Sequence, residues 1–307
     1  MQQAAEQLQL VREDLLWAGL SFPVLSEEEL AHDFAVTGDK VHFHRGIWWR
    51  QAKPFFCLPC FPYSHVDHRE SWPHPLRSLA GFTHISAPNS PSNGLHRALL
   101  RENLASYSIL SHPTDRRTKL RKALSQLVVR PLERLEDLLG HGYEVYVSCH
   151  ERVRWGRDKS DRGSYSSWIS KAFLRPKRLS LGAYFGDRLV AFMLPYVVGD
   201  IAVQAYVASH SGFLKYRPNE AITHAFMCIA RQTPRVCSAD MGPVSTKPSL
   251  DYFKQQFCSI KEFPSYTWIN PLIRPMFNKR IRPRYPWLAG VHAVRSSDDQ
   301  AQTRKAD

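Results

Sequence analysis

Three β-prone runs, Leu179–Tyr184, Arg188–Val198 and Ile201–Ala208, are punctuated by Gly186-Asp187 and Gly199-Asp200. Connections this short leave room only for tight hairpins, so the three runs predict an antiparallel meander. A loop, Ser209–Arg217, leads from it into a predicted helix with Pro218 near its first turn and Arg231 at its end. Val236–Met241 reads as a strand closed by Gly242, Ser249–Phe257 as a helix and Ile260–Ile269 as a last strand. A meander followed by β-α-β predicts a mixed sheet flanked by helices, an α+β architecture. The junction of its third strand with the helix would present backbone N–H groups and a positive dipole end to a phosphate.

Upstream the signals are weaker. An amphipathic helix is expected from Gln3 to Leu20, and Ser26 with Glu29 forms a capping-box pattern ahead of a short helix. Val41–Phe43 and Ile47–Trp49 flank Arg45-Gly46 as a hairpin, and Pro54–Phe61 is a further β-rich run. Ser64–Pro91, rich in Pro, His and Ser, reads as mostly loop. Helices are expected over Asn93–Leu110, Thr114–Leu127 and Tyr165–Phe173. Another is expected over Pro131–Leu139, ended by Gly140 and Gly142. The segment after Arg295 is expected to fray.

With 43% hydrophobic and 22% charged residues among 307, the chain has the composition of a globular protein. No stretch approaches the apolar length of a membrane span, and the N-terminus lacks a basic region followed by an apolar one. Six unevenly placed cysteines suit reduced thiols, so the expected compartment is the cytoplasm. The net charge of +13 makes this a basic protein, and it is unevenly distributed. Residues 1–111 carry 9 Lys/Arg against 11 Asp/Glu, residues 112–188 carry 17 against 9, and residues 189–307 carry 15 against 8. An anion-attracting field therefore belongs to the last two thirds of the chain.

From Leu179 onward the chain resembles the GNAT-like acyltransferases, in particular their FemAB-related branch. The resemblance is carried by LSLGAYFGDRLVAFMLPYVVGDIAVQAYVAS, FLKYRPNEAITHAFMCIAR and SADMGPVSTKPSLDYFKQQF. Within these lie Tyr216 in the loop, Pro218 with Asn219 at the helix start, Asp240 with Gly242 at a strand end, and Phe253 with Lys254. Upstream, DRRTKLRKAL resembles the Arg-rich helix that precedes this half in such proteins, so the resemblance spans about residues 113–270. It implies a GNAT-like mixed sheet, with the first third a loosely matching, degenerate copy of the same unit. The expected domains are residues 1–112, residues 113–295 as the acyltransferase half, and a tail, 296–307. The sequence departs from the family in one place. SGFLKYRPN has Gly212 as its only glycine, where many CoA-using members have a Gly-rich loop for the pyrophosphate.

The resemblance implies an N-acyltransferase that moves an acyl group from a CoA thioester directly to an amine. Acyl-CoA would be a co-substrate, with no tightly bound cofactor. Two alternatives remain: transfer from aminoacyl-tRNA to a peptide or cell-wall precursor, and an inactive module that binds an anionic polymer. The expected acceptor is a small molecule or cell-envelope precursor. Lys254 is the expected oxyanion-stabilising cation, though a solvated helix lysine reads equally well. Asp240 is placed to act as base on the acceptor or to orient it; an ordinary Asp-x-Gly turn is the plainer reading. Tyr216, Arg217 and Asn219 are assigned to the donor, with Arg217 on a phosphate and Asn219 more simply a helix cap. Arg117 and Arg121, four residues apart on one face, and Phe253 are assigned to substrate, against a solvated basic face.

Cys57-Leu-Pro-Cys60 with His65 and His68 superficially resembles a zinc knuckle, but FFCLPCFPY is apolar and the intervals are short for a closed site. Cys149 beside His150 makes a weak nucleophile pair, since adjacent residues rarely face one another. The purified protein is expected to carry no stoichiometric zinc. Elemental analysis finding about one zinc per chain, lost on replacing Cys57 and Cys60, would reverse that expectation.

Overall fold

A computed structural model describes residues 16–153, 161–245 and 247–276. In chain order the first strands are β1 (Val24–Leu25), β2 (Val41–His44), β3 (Ile47–Lys53), β4 (Phe56–Pro59) and β5 (His65–Val66). Next come β6 (Gly81–Ser86), β7 (Gly94–Arg101), β8 (Val128–Pro131) and β9 (Leu181–Phe185). The last are β10 (Arg188–Val198), β11 (Ile201–Ser209), β12 (Ser238–Pro243) and β13 (Ser259–Ile269). The chain divides into two compact units. One takes residues up to Gly38, Leu99–Gly242 and Phe253–Ser259; the other takes Asp39–Ala98, Pro243–Tyr252 and the chain from Ile260.

The first unit is built on the meander. Val198 pairs with Ile201 and Phe185 with Arg188, so each Gly-Asp dipeptide is the whole connection between two strands. Gly186 and Gly199 supply the positive φ these turns need. β8 adds antiparallel to β9, and β1 lies parallel to the end of β10. β10 is buried along ten of its eleven residues, which requires cover on both faces. Pro195 cannot donate to the ladder and sits where the β10–β11 register shifts, between Leu194 and Tyr196. β12 runs parallel to β11 only over Ile201–Val203, and from there the two strands part. The central helix, Pro218–Gln232, packs on β9, β10 and β11 and buries eleven of its fifteen residues. The basic helix, Thr114–Gln126, packs against it through a face of Arg116, Leu120 and Ala123.

The second unit holds the β2–β3 hairpin, with β4 antiparallel to β3 and parallel to β6. β6 pairs antiparallel with β13 and parallel with β5. Trp49, Cys57 and Val66 form its small core.

Several expectations are corrected. Asn93–Leu110 is not a helix: Gly94–Arg101 is β7, Asn103 takes a left-handed φ, and two single 3₁₀ turns follow. Leu-rich residues favour helix locally, but here backbone groups bond to neighbouring segments, as Val244 N does to the Arg97 carbonyl. Pro131–Leu139 is not one helix either. β8 ends there, and a short turn passes through a π-helical turn, Leu138–Gly142, into the helix Tyr143–Val153. Gly142 does not stop the helix but allows close approach, since a Cβ there would lie 3.1 Å from the Tyr165 hydroxyl. Ser64–Pro91 contains β5 and β6. The capping box at Ser26 forms as expected. The expected opening helix lies mostly outside the described residues, and the tail 296–307 entirely so.

The helix Glu27–Val36 is anchored by Asp33. Arg178 Nε donates to Asp33 Oδ2 at 2.9 Å, Arg175 Nη1 lies 3.6 Å from the same oxygen, and all three side chains are at least nine-tenths buried. Replacing Asp33 by Ala would leave two buried guanidinium groups without their carboxylate. The expected loss, read from urea unfolding, is about 3–5 kcal/mol.

Candidate active site

The site lies in the first unit, where Asp240 and Gly242 of β12 meet Lys254. Asp240 is 3% exposed and its Oδ1 accepts the Gly242 N–H at 2.7 Å. Gly242 has φ +88°, and a Cβ added there would stand 3.6 Å from Lys254 Nζ. The strand end thus turns through a conformation glycine tolerates, and the lysine ammonium lies over that bare backbone. The Cys258 thiol is buried alongside. Burial and then the Asp240 carboxylate push its pKa up, while Arg101 and Lys254 act in the opposite direction. Asp240, Lys254 and Arg101 are therefore within electrostatic reach of a single buried thiol.

Phe253 and Phe257 pack at 5.6 Å, and the Arg116 guanidinium carbon lies 4.8 Å from the Phe257 ring centre and 5.8 Å from that of Phe253. Arg116 Nη1 is 3.6 Å from Glu220 Oε1, and Arg217 Nη1 donates to the same oxygen at 3.1 Å. Burial lowers the Arg116 pKa, Glu220 opposes that shift, and Arg217 adds to it. Beneath this layer the Tyr107 hydroxyl stands 2.7 Å from His224 Nδ1 and 3.3 Å from His112 Nε2, and Arg231 donates to the Tyr107 carbonyl.

The loop after β11 is a 3₁₀ turn, Ser211–Tyr216. Ser211 N donates to Ser148 Oγ, Gly212 N to His210 Nδ1, Phe213 N to the His210 carbonyl and Arg217 N to the Leu214 carbonyl. Pro218 has no N–H at all. Above the turn, Tyr216 stacks on Phe185 at 4.4 Å, Arg188 lies over Phe213 and Lys215 over Tyr216.

Lys254 and Asp240 meet at the Gly242 turn, Phe253 packs on Phe257 and Arg116, and Tyr216 and Arg217 lie at the start of the central helix. Asn219 is corrected in one respect: Arg217, in a left-handed conformation, holds the N-cap position, and Asn219 is inside the first turn. Arg117 and Arg121 are half-buried, with Arg117 Nη2 bonded to Thr114 Oγ1, whereas the buried arginine of that helix is Arg116. Arg117 and Arg121 share one face of that helix, and Arg116 lies on the face that packs against the central helix. Glu220 and the Tyr107–His224 pair carry no linear motif. His150 Nε2 turns to the Tyr206 hydroxyl at 3.2 Å, and the Cys149 sulfur accepts from Arg152. In the second unit Cys57 is buried with its pKa pushed up to about 12 by burial, its thiol donating to the Arg77 carbonyl. Among the described residues no three His, Cys, Asp or Glu side chains are grouped for a metal ion.

No family model matches the sequence, and no curated protein matches it. Solved structures do. FemX is similar at a TM-score of 0.55 and 12% identity, covering 87% of this chain and 97% of that one. The C-terminal domain described as that of a lysylphosphatidylglycerol synthetase from Agrobacterium fabrum is similar at 0.54 and 12%, over 88% and 99%. L-PGS from Bacillus licheniformis is similar at 0.50 and 11%, over 84% and 98%. At such identities the likeness concerns the fold alone, a mixed sheet flanked by helices. Among the described residues no helix is long and apolar enough to cross a membrane.

Burial lowers the pKa of His112 to about 4 and of His224 to about 3, from an ordinary 6.5. Arg116 and Arg101 add to the shift at His112, and His112 and Arg231 add to it at His224. Folded pKa values below the unfolded one mean that the unfolded chain binds more protons in that interval. The stabilisation is complete above pH 6.5 and is lost as pH falls through 4 towards 3. The urea midpoint is expected to drop from pH 7 to pH 5, and His112→Gln should flatten that slope.

Proposed function

We propose that the chain is an acyltransferase that moves an acyl group onto an amine, with Lys254 and Asp240 at the transfer site. The observation that carries this reading is the Lys254 ammonium held over the glycine turn two residues beyond the buried Asp240. The amine nitrogen attacks the acyl carbon, and the C–N bond forms as the carbonyl oxygen takes up negative charge. Lys254 stabilises that oxygen. Asp240 accepts the proton the nitrogen loses, and the bond to the leaving group breaks as a proton returns to it.

For the donor, the loop supports an aminoacyl ester on tRNA. The amides of Ser211, Gly212, Phe213 and Arg217 are already bonded, and Pro218 offers none. The stacked Phe185 and Tyr216, flanked by Arg188 and Lys215, suit a base and its phosphates instead. The likeness to FemX and to the lysylphosphatidylglycerol synthetase domain is consistent with such a donor and with a cell-envelope acceptor. A CoA thioester is the second reading, because the same aromatic face would also accept its adenine.

Lys254→Ala should lower kcat and kcat/KM together by about a hundred- to a thousandfold while leaving donor binding nearly intact. Retained turnover with the true acceptor would make Lys254 a surface residue only. Donors are separated by thermal stabilisation: tRNA should raise Tm with a steep salt dependence, whereas a rise with CoA alone supports the thioester.

A further inference from the structure

Two guanidinium groups share one carboxylate at the start of the central helix. Glu220 Oε1 accepts Arg217 at 3.1 Å and faces Arg116 at 3.6 Å, and Asp115 nearby is engaged by Lys119 at 3.1 Å. The local balance is two positive charges against one negative, with the positive end of a fifteen-residue helix added. Arg116 is the unusual member. Its side chain is 7% exposed, and Nε and Nη2 have no hydrogen-bond partner among the described residues. Those two nitrogens form one edge of the guanidinium plane, spaced to grip two oxygens of a single anionic group. A buried cation with two unpartnered N–H nitrogens and an uncompensated charge is costly unless an anion completes it.

We propose that Arg116 and Arg217 form an anion subsite at the N-terminus of the central helix. The anion is a phosphodiester or carboxylate group of the substrate, gripped on the Nε/Nη2 edge of Arg116. Glu220 sets its affinity by cancelling one of the two positive charges. The phenyl rings of Phe253 and Phe257 wall the guanidinium, and Phe253 precedes Lys254 on the same helix. The subsite rests on the transfer reading only for which molecule carries the anion.

The test is direct titration of the full chain with inorganic phosphate and, separately, with acetate, at fixed ionic strength. No turnover is needed, so its failure is distinct from failure of the Lys254 assay. Phosphate saturation with little effect of acetate identifies a phosphate group; the reverse identifies a carboxylate. Glu220→Gln should tighten binding of the preferred anion about tenfold, and Arg217→Met should weaken it by a similar factor. Arg116→Lys keeps the charge but removes the fork and should abolish saturable binding. If that variant does not fold, Glu220→Gln and Arg217→Met decide the matter alone. The proposal is overturned if neither anion binds the wild type, or if binding is indifferent to Glu220 and Arg217.

Discussion

A strand with ten of eleven residues out of water can exist only if both its faces and both its edges are covered, and β10 imposes that condition on the first unit. β9 and β11 cover its edges through two-residue turns, while the central helix and the helix Tyr143–Val153 pack on it. The central helix buries eleven of its fifteen residues and carries Arg217, Pro218 and Glu220 at its start, and the parting of β11 from β12 lies close by in the chain.

The same dryness governs the electrostatics. It keeps His224 and His112 neutral near pH 7, so Tyr107 is hydrogen-bonded to two uncharged rings. Where charge does enter, it enters in groups: Asp33 with Arg175 and Arg178, and Glu220 with Arg116 and Arg217. The two groups have the same two-to-one count. In the first, Arg178 also donates to the Pro195 carbonyl, so the guanidinium is well supplied with acceptors. In the second, Arg116 leaves both Nε and Nη2 without a hydrogen-bond partner among the described residues.

Legibility followed the range of the interactions. Gly186-Asp187, Gly199-Asp200 and the Ser26–Glu29 box act within a few residues and were readable, as was the helix opened by Pro218. Gly94–Arg101 is not legible because its strand state depends on partners more than a hundred residues away, such as Val244 on the Arg97 carbonyl. Lys254 and Asp240 could be singled out from their linear context and the structure brings them together. Arg116 could not be preferred over Arg117, because which side of the basic helix faces the core is decided by the central helix, about a hundred residues downstream.

The interleaving of the two units bears on how the chain is made. The first unit draws on residues up to Gly38, then Leu99–Gly242, then Phe253–Ser259, and the second begins at Asp39 and resumes after Tyr252. Neither unit can close behind the ribosome as a finished N-terminal module. At about 5–20 residues per second, Ser259 is added about 3–12 seconds after Val198. The segments that cover β10, the last of them the central helix ending at Gln232, are made before Phe253–Ser259. The scaffold of the first unit can therefore assemble before the segment that carries Lys254 exists.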